Sequence, residues 1–284
     1  MQRLVLTLSM LLPAVALAGT PAQDQFYSKV GLQLYSLRKE FPRDGVKPTL
    51  DMVKSWGIKY VEVSGTYGLT PDQYLAELAK RGMVAIGSHF PYDRLKKDID
   101  GVVADAKALK LAYVGCAWIG HKKPFDEKQC LEAAEVFNHA GEVLAKNGMK
   151  FYYHNHGYEF LPCGNGTLFD LLAAKTNPKY VSFQLDVLWT FLPGVDPAKL
   201  LEKYPDRFVF LHLKDLRKGV PTGNHTAKTP VTNDVTLGSG QVDWPVLIRT
   251  AEKIGIKYYF IEDESPISPE QIPQSLKFLK GLKF

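Results

Sequence analysis

Cysteine is scarce: the 284 residues contain three, Cys116, Cys130 and Cys163, and no CxxC pair. This excludes a disulfide framework and a thiolate metal site. Buried free thiols are expected, with a Cys116–Cys163 bridge at adjacent strand ends as the alternative. No block of lysine and arginine is interleaved with aromatics, and the formal net charge is only +5, so no nucleic-acid partner is expected. Low-complexity tracts and a disorder-type composition are also missing. The first apolar run leads into Gly31-Leu32-Gln33-Leu34-Tyr35-Ser36, which has none of the glycine spacing of a dinucleotide-binding turn.

Long hydrophobic runs are confined to the start. Met1-Gln2-Arg3 is followed by a Leu/Val/Ala-rich run, Leu4 to Val15, and then by Ala16-Leu17-Ala18 before Gly19. A short basic start, an apolar stretch too short to span a bilayer and small residues at a cleavage spacing read as a secretory signal over 1–18. The expectation is a mature domain over 19–284 in a periplasmic or secreted setting, with no membrane contact after cleavage.

What is present is alternation. Apolar runs at Val30–Tyr35, Ile58–Val63, Met83–Ser88, Ala112–Trp118, Lys150–Tyr153, Val181–Leu185, Phe208–Leu213 and Lys257–Ile261 are separated by amphipathic segments at 46–56, 71–81, 94–109, 126–147, 167–175, 197–203 and 243–254, with 269–281 last. Thr70-Pro71-Asp72 and Asp196-Pro197 read as helix starts. Gly57, Gly82, Gly148 and Gly255 stand where helices turn into strands. Strands apolar on both faces need cover on both sides. Eight such units predict a single-domain (β/α)8 barrel of the α/β class.

Several strands end in side chains that can bind a metal. Phe151-Tyr152-Tyr153-His154-Asn155-His156-Gly157-Tyr158-Glu159 closes the fifth, Gln184-Leu185-Asp186 the sixth, Phe210-Leu211-His212 the seventh and Phe260-Ile261-Glu262 the eighth. In such a barrel these ends converge on one mouth. Glu159, Asp186, His212 and Glu262 form a mixed oxygen and nitrogen set suited to a divalent Mn, Co or Zn ion. His154 and His156 lie close enough to Glu159 that a change of register would move the ligand.

These motifs, with Gly57-Ile58-Lys59-Tyr60-Val61-Glu62 and Leu237-Gly238-Ser239-Gly240-Gln241-Val242-Asp243-Trp244, resemble the sugar isomerase/epimerase superfamily. That superfamily comprises the xylose-isomerase-like TIM barrels and also includes inosose dehydratases and endonuclease IV. The resemblance implies a Glu–Asp–His–Glu metal site at Glu159, Asp186, His212 and Glu262, with Glu159 and Glu262 also moving protons. Endonuclease-IV-like members carry histidine three residues after the sixth-strand aspartate; this chain has Trp189 there, which argues against DNA repair.

A metal held beside a carbonyl acidifies the neighbouring carbon. The expected activity is therefore removal of a proton α to the carbonyl of an unphosphorylated sugar or keto-sugar, ending in isomerisation or epimerisation. A keto-glycoside lyase or hydratase and a non-catalytic sugar-binding barrel are the alternatives. Lys214 is the expected oxyanion partner or proton donor. His89, His156, Glu62 and Trp189 are expected to contact substrate, with Trp118 as a further aromatic wall. A homo-oligomer is compatible with the chain.

Overall fold

The structure, a computed structural model, describes residues 20–284; the expected leader at 1–18 lies outside them. Strands β1 (Val30–Gln33), β2 (Tyr60–Val63), β3 (Val84–His89), β4 (Tyr113–Cys116), β5 (Lys150–His154), β6 (Val181–Asp186), β7 (Phe208–Leu213) and β8 (Tyr258–Ile261) pair in parallel, each with its neighbour in sequence. β8 pairs with β1 and closes the barrel. Helices α1 (Val46–Ser55), α2 (Pro71–Ala79), α3 (Ile99–Ala108), α4 (Glu127–Lys146), α5 (Leu168–Lys175), α6 (Pro197–Lys203), α7 (Trp244–Ile254) and α8 (Ser268–Gly281) follow the strands in turn. No helix among the described residues is long and apolar enough to cross a membrane.

Strand alternation sorts the side chains. On β5, Phe151 and Tyr153 join the core between sheet and helices, where Leu185, Leu211, Leu213 and Ile261 of later strands also lie. Tyr152 instead belongs to a small core inside the barrel with Ile86, Phe210 and Phe260. The next residue of the same parity is therefore the one each strand delivers to the mouth: His154, Asp186, His212 and Glu262.

The predicted helix over 94–109 is divided. Asp98 leaves the helical region at φ −147° and its side chain accepts the Gly101 N–H at 3.2 Å, so it caps α3 and separates it from a short helix at Tyr92–Lys97. Two helices unforeseen from periodicity precede α1, at Pro21–Tyr27 and Glu40–Asp44. All three cysteines are free, Cys116 and Cys130 buried and Cys163 half-buried.

Gly115 on β4 makes room for the interior core. A Cβ there would overlap both the Tyr152 ring and the His89 imidazole. Gly115→Ala should lower the unfolding free energy by about 1–3 kcal/mol through overpacking, read as a lower urea midpoint with unchanged m-value. An unchanged midpoint would mean that Tyr152 does not fill the barrel as described.

Candidate metal and substrate site

The mouth is built over one carboxylate. Glu62, at 0% exposure, receives Gln33 Nε2 at 2.7 Å, Gln184 Nε2 at 3.2 Å to each oxygen, the Tyr152 hydroxyl and His212 Nε2. His89 Nε2 lies 3.2 Å from the other oxygen. Burial alone would raise its pKa, but the His89 and His212 imidazoles outweigh that and hold it well below the usual carboxylate range. Glu62 therefore has no face left for a substrate hydroxyl. The expected substrate-binding role gives way to that of an orienting anion beneath the site.

Above this floor, four side chains converge. His154, Asp186, His212 and Glu262 each place a donor atom within 4.8 Å of the others. His212 Nδ1 is 3.0 Å from Glu262 Oε2 and 3.9 Å from Asp186 Oδ2, which is 3.8 Å from His154 Nε2. Such spacings match donors standing about 2.0–2.2 Å from one shared cation. Asp186 Oδ2 is buried without a hydrogen-bond partner, although its twin Oδ1 accepts the Trp189 N–H at 2.8 Å. A buried lone pair aimed at imidazoles and left unsatisfied is what a metal ligand looks like. Two imidazoles and two carboxylates suit Mn, Co or Zn. The residues present thus fit a divalent ion.

Electrostatics agree. Burial lowers His212's pKa, yet Glu62 and Glu262 on its two nitrogens raise it to about 10, so the ring is held as an imidazolium, one proton of which a bound cation would displace. Burial and the neighbouring His212 push His154 well below the ordinary histidine value, leaving a neutral ring with a lone pair to give. Burial lifts Asp186 to about 7.

Glu159 is not part of this cluster. β5 ends at His154, and Glu159 sits in a 3₁₀ turn, Tyr158–Phe160. Its Oε1 accepts from the Tyr153 hydroxyl and, at 2.9 Å, from the His156 N–H. Tyr153 faces the helix side of the sheet, and burial raises the Glu159 pKa to about 7. The structure thus places Glu159 apart from the cluster it was expected to join, and the fifth strand brings His154 there in its place. Parity was the signal that pointed to it.

A chamber of about 450 Å³ opens over the cluster, lined by His89, Trp118, His154, His156, Trp189 and Glu262 among others. His89 Nε2 is 2.9 Å from Gln184 Oε1, and His156, with Nδ1 unpartnered, packs edge-on to Trp118. The expected contact residues His89, His156 and Trp189 thus reach the chamber. Lys214, 1% exposed, stands beside it, 3.3 Å from Glu262, 2.7 Å from Glu264 and 3.9 Å from Asp186. Burial would lower its pKa; the carboxylates of Glu262 and Glu264 raise it well above the usual lysine value. Gln33, Gln184, Tyr152 and Glu264 went unassigned in the sequence because neutral amides, a phenol and a loop carboxylate carry no motif of their own.

The chain belongs to the xylose isomerase-like TIM barrel family, whose model matches residues 50–282. It is similar to an inosose dehydratase of Lactiplantibacillus plantarum, 35% identical over 97 residues, 34% of this chain and 32% of the relative. The match spans about a third of that relative's length. Among solved structures, a Parabacteroides distasonis sugar phosphate isomerase/epimerase superposes with a TM-score of 0.74 at 24% identity, over 95% of this chain and 98% of that one. The IolI protein with a bound zinc atom superposes with a TM-score of 0.67 at 12% identity, over 88% and 96%. At these identities the structural matches establish the shared fold.

The ligand assignment can be tested against its rival. His154→Ala should weaken divalent-metal binding by more than about 100-fold, and Glu62→Gln, which loosens His212, by about 10–100-fold. Glu159→Gln should leave it within about threefold, since its hydrogen-bond partners, Tyr153 and His156, are not among the four cluster residues. Competition with a chromogenic chelator measures all three. Loss in the Glu159 variant alone would return the ligand to that residue.

Proposed function

We propose that this chain is a divalent-metal-dependent sugar enzyme that removes a proton α to the carbonyl of an unphosphorylated sugar or keto-sugar. The observation that carries it is the convergence of His154, Asp186, His212 and Glu262, with the unsatisfied Asp186 Oδ2, at the floor of the chamber. Family membership supports it, since relatives include proteins named inosose dehydratase. The zinc carried by IolI supports a cation here. An ion held by the four residues would polarise a substrate carbonyl and acidify the adjacent C–H.

The chain's own groups handle the proton. Glu262 stays ionised: burial opposes this, but Lys214 and His212 hold its pKa well below the usual range. It is the base in reach of the chamber. Lys214, 3.3 Å away, is the ammonium that faces a developing oxyanion or gives a proton to a departing oxygen. His89 and His156 offer ring nitrogens to hydroxyls, and Trp118 and Trp189 exclude water. Lys214, the lysine beside this chamber, is already paired with Glu262 and Glu264, which favours a substrate without phosphate. The leader-like start fits an exported enzyme, for which sugar phosphates are scarce.

A second reading shares the first half of the reaction. The dehydratase names among the relatives and the buried ammonium of Lys214 favour elimination of a β-oxygen, making the enzyme a lyase or hydratase on a keto-sugar or keto-glycoside.

Incubation of metal-loaded protein with a 3-keto-hexose in D₂O should give deuterium at the carbon next to the carbonyl. Glu262→Gln should abolish it, a loss of more than about 100-fold for removal of a general base. An absorbing unsaturated product would assign the lyase branch. Absence of exchange across keto-hexoses with metal bound would leave a sugar-binding barrel as the account.

A further inference from the structure

Behind Trp189 lies a second chamber of about 320 Å³, within the range of about 300–1,000 Å³ typical of small-ligand sites. Trp189, Ala227 and Glu264 line both chambers. Trp189 is the partition, its ring 5.7 Å from His156 on the first side and 5.6 Å from the Lys214 ammonium on the second. The ligand cluster and its ion-pair partners border both spaces: His154 and Glu262 line the first, and Lys214 and Glu264 the second.

The outer wall of the second chamber is an anchored loop. Gly223 N–H donates to Leu192 O at 2.8 Å, and Asn224 braces its own turn through Thr226 N–H at 2.9 Å and Lys228 O at 2.9 Å. Asn233 Nδ2 donates to Thr229 Oγ1 at 2.7 Å. Ala227, which lines the chamber, holds a left-handed φ of 51° between these braces. The space is therefore formed in advance, so ligand binding need not order it.

Its lining has the character of a carbohydrate site. Leu188, Trp189 and Val231 offer apolar surface to ring C–H faces, while Thr229, Asp234 and Glu264 offer groups to hydroxyls. Two lysines, Lys214 and Lys228, are matched by two acidic residues, Asp234 and Glu264, so the set selects no net charge. Lys214 is engaged with Glu264 at 2.7 Å and Glu262 at 3.3 Å.

We propose that this chamber is a subsite for the non-reacting ring of a neutral two-ring carbohydrate, whose reacting ring occupies the chamber over the metal cluster. Resting on the α-proton reading above, it narrows the substrate class from single sugars to glycosides and disaccharides. The link between the rings would cross beside Trp189 and Lys214.

The test compares a 3-keto-hexose with the corresponding 3-keto-disaccharide on the metal-loaded full chain. Wild type should favour the disaccharide in kcat/KM by about tenfold or more, and Val231→Trp, which fills only the second chamber, should shrink that ratio about tenfold. Lys228→Trp, at an exposed position of the same wall, replaces it if Val231→Trp folds poorly. Equal kcat/KM for the two probes, or an equal loss on both, overturns the subsite. Should neither probe react, the α-proton reading falls, and calorimetric titration of both sugars into Glu262→Gln decides the subsite alone. Tighter disaccharide binding that the tryptophan variant removes upholds it, and equal affinities overturn it.

Discussion

Glu62 is the constraint from which the site is assembled. A carboxylate at 0% exposure is costly unless every lone pair is met. Here Gln33, Gln184, Tyr152, His212 and His89 all turn toward it. They come from β1, β6, β5, β7 and β3, so one charge at the barrel axis ties together most of the closed sheet. Its effect on chemistry is orientational. By taking His212 Nε2, it leaves Nδ1 to face Asp186 and Glu262, the arrangement in which an outer carboxylate fixes a metal-binding imidazole. Gln184 extends the same order, its Nε2 on Glu62 and its Oε1 2.9 Å from His89 and 3.2 Å from His154.

Much of this architecture is legible in the residues. The eight strands and their order come from apolar runs at steady intervals, because a parallel barrel covered on both faces demands them. Asp186, His212 and Glu262 come from strand ends. Glu159 and Glu62 depart from expectation for different reasons. Glu159 has the look of a ligand because a carboxylate close after a strand is common at such mouths; yet β5 stops at His154, and the turn beyond it redirects the side chain among tyrosines. Counting inward residues by twos from Tyr152 gives His154. Glu62 does stand at the mouth, but its depth depends on what lies above it, and one sequence read strand by strand holds no record of Gln33, Gln184 and Tyr152 meeting there. The break at Asp98 is hidden because capping and helix-interior aspartates look alike until the backbone is seen.

The same cluster can serve reactions with different products. Removing a proton beside a carbonyl requires only a base and a way to hold the charge that develops. In the proposed reaction Glu262 and Lys214, ion-paired and buried together, would provide both. The fate of the resulting anion depends on the substrate. A proton returned to a neighbouring carbon isomerises, one returned from the opposite face epimerises, and a β-oxygen that leaves gives an alkene. A family that includes sugar-modifying enzymes of lyase type alongside the isomerase-like fold is consistent with a common reaction start and a variable finish. Specificity then belongs to the chamber walls more than to the cluster.

Asp186 shows how wall and cluster are joined. Its Oδ1 accepts the Trp189 N–H and caps the short helix Val187–Phe191, while Oδ2 faces the imidazoles. The carboxylate that would hold a cation therefore also fixes the backbone that carries Leu188 and Trp189. A helix this short has little stability of its own, so its position follows the cap. One side chain thus belongs to the cluster and also fixes the backbone of Trp189, the partition between the two chambers. Trp189 also occupies the place where a nuclease-type relative would set another metal-binding histidine. At this position the chain carries an aromatic side chain that lines both chambers.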